Sequence, residues 1–341
     1  MVMVEDVRSP TAQSVGDPVL RVRDLHTYFA TDRGILRAVD GVSFDLLAGE
    51  TFGIVGESGS GKSVTCRSLI GLLPRPPAYT TGSVRYDDRD LVDLPERAMR
   101  KIRGAHISMI FQDPMTALNP VMRVGDQIVE ALEAHAAVPA RQRRGAAVDL
   151  MKRVGIPLAE RRMRDYPHQF SGGMRQRVVI AIALACRPKV LLADEPTTAL
   201  DVTIQDQILS LLLELQRDFG TSVILVSHDL GVIAETCDRV AVMYGGQIVE
   251  IGDTATVLTR PRHPYTAGLL RSLPGAGEDR YLTPIAGAPP SLVDPAPGCR
   301  FFDRCPLRTP ECRSWDTALL PIGPGHDVRC RRHDYVEDAH A

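Results

Sequence analysis

The stretch GESGSGKS, residues 56–63, sets Gly56, Gly59 and Gly61 ahead of a lysine and a serine at fixed offsets. A G-x-x-x-x-G-K-S loop between a strand and a helix wraps backbone N–H groups around a phosphate at the positive end of the helix. Gly56 and Gly61 tolerate the backbone angles of the wrap, and on this reading a Cβ at either would obstruct the phosphate. Lys62 would reach the β- and γ-phosphates and the Ser63 hydroxyl would bind Mg²⁺. Glu57, Ser58, Gly59, Ser60 and Val64 complete the loop and its first helical turn. In VLLADEP (190–196) an apolar run ends in Asp194, able to hold the Mg²⁺ shell, and Glu195 follows as a base that would polarise an attacking water. In FSGGMRQR (170–177), Ser171, Gly172 and Gly173 open a helix and offer a hydroxyl, bare N–H groups and a helix dipole to a second anion.

A further set is sulfur. Cys299, Cys305, Cys312 and Cys330 are spaced C-x₅-C-x₆-C-x₁₇-C. Four thiolates so close in sequence suit an iron–sulfur cluster or zinc, both of which soft ligands select. Structural zinc usually shows close C-x₂₋₄-C pairs, which this spacing lacks, and free thiols are the third reading. Arg300, Arg304, Arg308, Arg313, Arg329, Arg331 and Arg332 surround these cysteines. They could offset an anionic cluster, although a solvated loop surface is the more usual role of such residues. Cys66, Cys186 and Cys237 lie in apolar surroundings and read as buried free thiols.

The elements that must position these groups follow from periodicity. TFGIVG, KVLLADEP and TSVILVSHD are apolar strands, and KSVTCRSLIGLL is the helix after the cradle. TIQDQILSLLLELQRDFG is a long amphipathic helix stopping at Gly220, and LRAVDGVSFDLLAGE (36–50) reads as short strands with a turn. The residues from about 113 to 185 are strand-poor and helical by period. An α/β layered unit is therefore expected over 19–262, after a frayed lead-in at 1–18. Twelve of the 25 prolines fall from Pro261 onward, which precludes long helices there, so 263–341 reads as an appended small, irregular domain.

Composition limits the function. Acids outnumber bases by 42 to 40, so nothing indicates a whole-protein grip on nucleic acid. No apolar run reaches the roughly 20 residues of a spanning helix, and the start of the chain lacks a secretory pattern. A cytoplasmic chain is expected, in which disulfides are disfavoured and any membrane link comes through partners.

GESGSGKS, FQDP, FSGGMRQR, VLLADEP, TTALD and VSHD, in this order, resemble the nucleotide-binding subunit of an ABC transporter over residues 19–262. The resemblance implies a P-loop NTPase of the ABC type, with a mixed sheet and a helical subdomain, hydrolysing ATP with Mg²⁺. It implies that Gln112 touches Mg²⁺ and relays to membrane subunits, that Asp201 belongs to the D-loop, and that His228 meets the γ-phosphate. Ser171, Gly172 and Gly173 become the signature motif, with Met174 where the family norm is glutamine. Phe29 is the expected adenine-stacking ring, with Tyr28 its rival. Two such units would pack head to tail, each ATP lying between one cradle and the other's signature.

The tail HPYTAGLLRSLP, PIAGAPPSL and the cysteine set resemble the C-terminal extension of dipeptide and oligopeptide importer ATPases, some of which hold a [4Fe–4S] cluster on such cysteines. The implied setting is the cytoplasmic face of the membrane. The implied partners are two permease subunits, an external binding protein and a second ATPase, either a sister subunit or a second copy. The competing reading is a soluble ABC-type ATPase acting on nucleic acid, which usually carries two motif sets or a long coiled coil.

Overall fold

The computed structural model describes residues 17–198, 200–272, 284–316 and 318–336. Nearly all of the expected lead-in at 1–18 lies outside them. Six strands come first: β1 (Pro18–Thr31), β2 (Gly34–Leu47), β3 (Thr51–Val55), β4 (Ala78–Tyr86), β5 (Arg89–Asp90) and β6 (Ile107–Ile110). Six more follow: β7 (Val190–Asp194), β8 (Ser222–Ser227), β9 (Arg239–Tyr244), β10 (Gln247–Asp253), β11 (Leu320–Gly323) and β12 (His326–Val328). They form an antiparallel sheet ordered β2-β1-β4-β5 and a mixed sheet ordered β11-β12-β10-β9-β3-β8-β7-β6.

The centre of the mixed sheet positions the site. β3, β7 and β8 are buried at every residue, the mark of parallel strands covered on both faces. Their register pairs Val55 with Ser227 and Asp194 with Val226. The three strands therefore end at one edge, setting the starts of GESGSGKS, EP and HD side by side. Ligands of open parallel sheets bind beyond this carboxyl edge.

Between β6 and β7 the described residues form helices only, chiefly Val124–Ala134, Arg143–Arg153 and Gly172–Leu184. The helix Val202–Phe219 stops at Gly220, which adopts φ 62°, a left-handed C-terminal cap. No helix among the described residues is long and apolar enough to cross a membrane.

Two expectations are revised. Residues 34–47 make one continuous strand rather than short strands with a turn. Leu25 pairs with Val42 and His26 with Asp40, so Gly41 is an extra residue, at φ 74°. The D-G pair marks a bulge, which bends a strand without ending it. The residues after 263 also do not stand apart. β12 pairs antiparallel with β10, covering what would be an open sheet edge, and the fully buried Phe301 belongs to the main core.

Candidate functional site

The cradle is built from the loop's own polar groups. Lys62 Nζ donates to the carbonyls of Gly56 (2.7 Å) and Glu57 (3.0 Å). Burial pushes the Lys62 ammonium down from its ordinary range, and the nearby Glu195, Asp194 and Glu57 oppose that shift. Ser58 and Gly59 are exposed, Ser60 is buried, and Val64 is half-buried on the first turn of the helix Lys62–Leu69. The two outer glycines have a reason other than the expected one. A Cβ at Gly56 would lie 2.1 Å from Met243 O, and one at Gly61 would lie 2.3 Å from Ala38 O. The loop is thus pressed onto the backbone of β9 and β2, and it is the protein that excludes the side chains.

At the end of β7, Ser63 Oγ donates to Asp194 Oδ1 at 2.7 Å. Asp194 is fully buried and its Oδ2 has no hydrogen-bond partner. Burial raises its pKa, opposed by the Ser63 hydrogen bond and by Arg67. An unpartnered buried carboxylate oxygen beside a hydroxyl is costly unless a cation takes it. Ser63 and Asp194 therefore fit Mg²⁺.

Glu195 is the point of convergence. Its Oε2 accepts from Gln112 Nε2 at 3.0 Å and from Thr198 Oγ1 at 2.9 Å, and lies 3.4 Å from His228 Nδ1. Its φ of 47° is rare for a residue with a side chain, and such positions cluster at functional sites. Glu195, Thr198 and His228 line a cleft of about 220 Å³. Gln112, expected at Mg²⁺, gives its amide to Glu195 instead. Thr198 was not singled out from sequence. Its only signal was its place three residues after Glu195 in EPTT.

The signature residues stand elsewhere. Ser171 caps the helix Gly172–Leu184 by accepting from Met174 N at 3.4 Å. Ser171 and Gly172 are exposed and Gly173 half-buried. Asp201 is exposed and caps the helix Val202–Phe219 by accepting from Ile204 N at 3.0 Å. Tyr28 and Phe29 part company. The Tyr28 hydroxyl lies 2.7 Å from His26 Nδ1 and donates to Asp40 at 3.2 Å. Phe29, the next residue of β1, is half-buried.

Cys299, Cys305, Cys312 and Cys330 line one apolar cavity of about 20 Å³, with His263, Phe301 and Trp315 in its wall. None of the four is in a disulfide. Burial pushes Cys299 up to about 11 and Cys330 up to about 12, and raises Cys305 as well. Among the described residues, no group of three or more His, Cys, Asp or Glu side chains could hold a metal ion. The zinc alternative thus has no ready site, and the iron–sulfur expectation gains no support from ligand geometry. Of the scattered cysteines, Cys66 and Cys237 are buried, but Cys186 is only partly so.

Comparison with known proteins decides the family. Residues 39–198 match the model of the ABC transporter family, and residues 249–312 match that of the oligopeptide/dipeptide transporter C-terminal region. The chain is 53% identical over 319 residues to the dipeptide transport ATP-binding protein DppD of Bacillus subtilis (strain 168), covering 93% of each chain. The chain belongs to the ATP-binding subunits of oligopeptide and dipeptide ABC transporters. It is also 48% identical over 315 residues to the oligopeptide transport ATP-binding protein OppD of Escherichia coli (strain K12), covering 92% of this chain and 93% of that one. Among solved structures it resembles the dimeric, ADP- and Pi-bound ATP-binding cassette MJ0796, with TM-score 0.61 and 30% identity. That match covers 69% of this chain and 98% of the cassette. The fold is that of an ABC-type P-loop ATPase.

Proposed function

We propose that this subunit binds Mg·ATP between its own residues 56–63 and Ser171, Gly172 and Gly173 of a facing ATPase, and that hydrolysis there powers uptake of peptides through two permease subunits. The observation that carries the proposal is the gathering of Gln112, Thr198 and His228 on one oxygen of Glu195, next to the Ser63–Asp194 pair. A carboxylate so held can accept a proton from water while His228 and Gln112 fix its orientation. Mg²⁺, held by Ser63 and Asp194, would neutralise charge on the phosphates. Lys62 faces the same anion, and Phe29 is the ring left for adenine, since the Tyr28 hydroxyl is engaged.

Several observations support the facing arrangement. Ser171 is exposed and stands at the N-terminus of a thirteen-residue helix, where an anion is favoured, and MJ0796 is described as a dimer. The second ATPase is a sister subunit or another copy of this chain, and Asp201 would lie at the seam. A cleft of about 170 Å³ lined by Phe111, Ala131, His135 and Ile182 adjoins Gln112. It suits an apolar permease segment whose movement Gln112 would feel. An external binding protein would deliver the peptide, and the assembly would place this chain on the cytoplasmic face.

We further infer that the cysteine segment takes a [4Fe–4S] cluster on Cys299, Cys305, Cys312 and Cys330. The support is the presence of four soft donors in the lining of one apolar cavity. The bound cluster would cross-link otherwise irregular loops.

Replacing Glu195 by Gln tests the catalytic assignment. Turnover in the assembled transporter should fall about 10²–10⁴-fold while Mg·ATP binding persists. Turnover near the parent rate would remove Glu195 as the base.

A further inference from the structure

The N–H and the carboxylate of one cradle residue, Glu57, are held from outside the nucleotide-binding core. The Glu57 N–H donates to the Tyr265 hydroxyl at 2.9 Å. The Glu57 carboxylate receives Arg304 as a two-pronged pair, Nη1 to Oε2 at 2.8 Å and Nη2 to Oε1 at 3.0 Å. Tyr265 stands on the helix Pro264–Arg271 of the C-terminal extension, and Arg304 directly precedes Cys305.

The site around Arg304 is fully built. Its other N–H groups go to Ala286 O at 3.0 Å, Ile285 O at 3.2 Å and the Tyr244 hydroxyl at 3.4 Å. All five guanidinium donors are thereby used. The side chain is only 6% exposed, and it lies over the rings of Tyr244 and Phe301. Tyr244, Tyr265 and Phe301 pack against one another, the closest centroids 4.5 Å apart. Such a guanidinium is not a solvated surface charge. Arg300, the residue after Cys299, makes a comparable buried pair with Asp40 and donates to Gly245 O at 3.1 Å.

A carboxylate in a loop that grips a polyanion opposes its own ligand unless its charge is matched. We propose that Arg304 is a positioning residue for ATP binding. It cancels the charge of Glu57 and, with Tyr265, fixes the first turn of the cradle, so that the C-terminal extension sets nucleotide affinity. This rests on the reading of residues 56–63 as the ATP site. If the parent protein fails to bind Mg·ATP, that reading falls; if only the comparison below fails, the proposal alone falls.

The test is Mg·ATP affinity of the full-length subunit in its complex. Arg304→Met should weaken binding roughly ten-fold, the size expected of one unmatched, half-buried charge near an anion. The loss should appear in KM rather than kcat and shrink as salt is raised. Adding Glu57→Gln to Arg304→Met should recover most of the affinity. Parental affinity in Arg304→Met, or a double variant as weak as the single, would overturn the proposal, because a purely structural anchor is not rescued by removing a charge. Should Arg304→Met not fold, Arg304→Lys decides. It keeps the charge and should stay near parental affinity, and a ten-fold loss there would contradict the charge argument.

Discussion

In the cradle, Ser63 already reaches Asp194, Lys62 reaches two loop carbonyls, and three side chains gather on Glu195. In the cysteine segment four thiols line a common cavity, none in a disulfide, and among the described residues they form no group that could hold a metal ion. That segment is fastened by its arginines and aromatics, through Arg300 to Asp40, Arg304 to Glu57, and Phe301 to Tyr244 and Tyr265. A site for a ligand that comes and goes gains from being prebuilt, since ordering done in advance is not charged against binding. A site for a resident group can leave the final convergence to the group itself. The two regions meet at Glu57, which belongs to one and is gripped by the other.

The contrast can be broken from either side. The largest effect is expected on the sulfur side. On the proposed cluster, anaerobically prepared parent protein should contain iron and sulfide, and Cys305→Ser should remove them with any brown absorbance, while the cradle still binds Mg·ATP. Anaerobically prepared parent protein without iron and sulfide would remove the cluster from the account. On the cradle side, Gly56→Ala should destabilise the fold by about 2 kcal/mol or more, because alanine is strained at φ 156° and its Cβ would meet Met243 O. Chemical denaturation measures this. A stability equal to the parent's would show that the loop is not pressed onto β9.

The smallest effect concerns His263, whose Nδ1 accepts the Tyr265 N–H at 3.1 Å. Burial, with Arg329 adding to it, lowers its pKa from 6.5 to about 3. The unfolded chain therefore takes up a proton below pH 6.5 that the folded chain refuses. Stability contributed by this group is intact above 6.5 and declines toward about 3, by about 1.4 kcal/mol per pH unit. Denaturation at stepped pH should show this component vanish in His263→Gln. An unchanged slope would assign it to other groups.

Much of the cradle was legible in sequence because its chemistry is local. G-x-x-x-x-G-K-S is one continuous loop, and VLLAD states both a buried strand and the carboxylate at its end. Motif order assigned Gln112 and His228 to the nucleotide site but not to Glu195; their convergence there depends on β8 lying between β3 and β7. What stayed hidden was long-range. Nothing in residues 56–63 says that Glu57 is matched by an arginine 247 positions away, and an arginine among loop prolines reads as solvated surface. The D-G pair at 40–41 misled because turns and bulges use the same left-handed glycine. The C-terminal extension read as separate because proline argues against central strands and says nothing of an edge strand such as β11, which carries Pro321 and joins the sheet through β12.

The most direct test of the central claim is nucleotide retention by the Glu195→Gln subunit assembled with its partners. The account predicts that unhydrolysed Mg·ATP stays trapped with the complex, and that Ser171→Arg on the facing copy, or arginine at the matching signature serine of a sister subunit, releases it. Retention that ignores Ser171, or ATP consumed at the parental rate, would contradict a shared site completed across two ATPases.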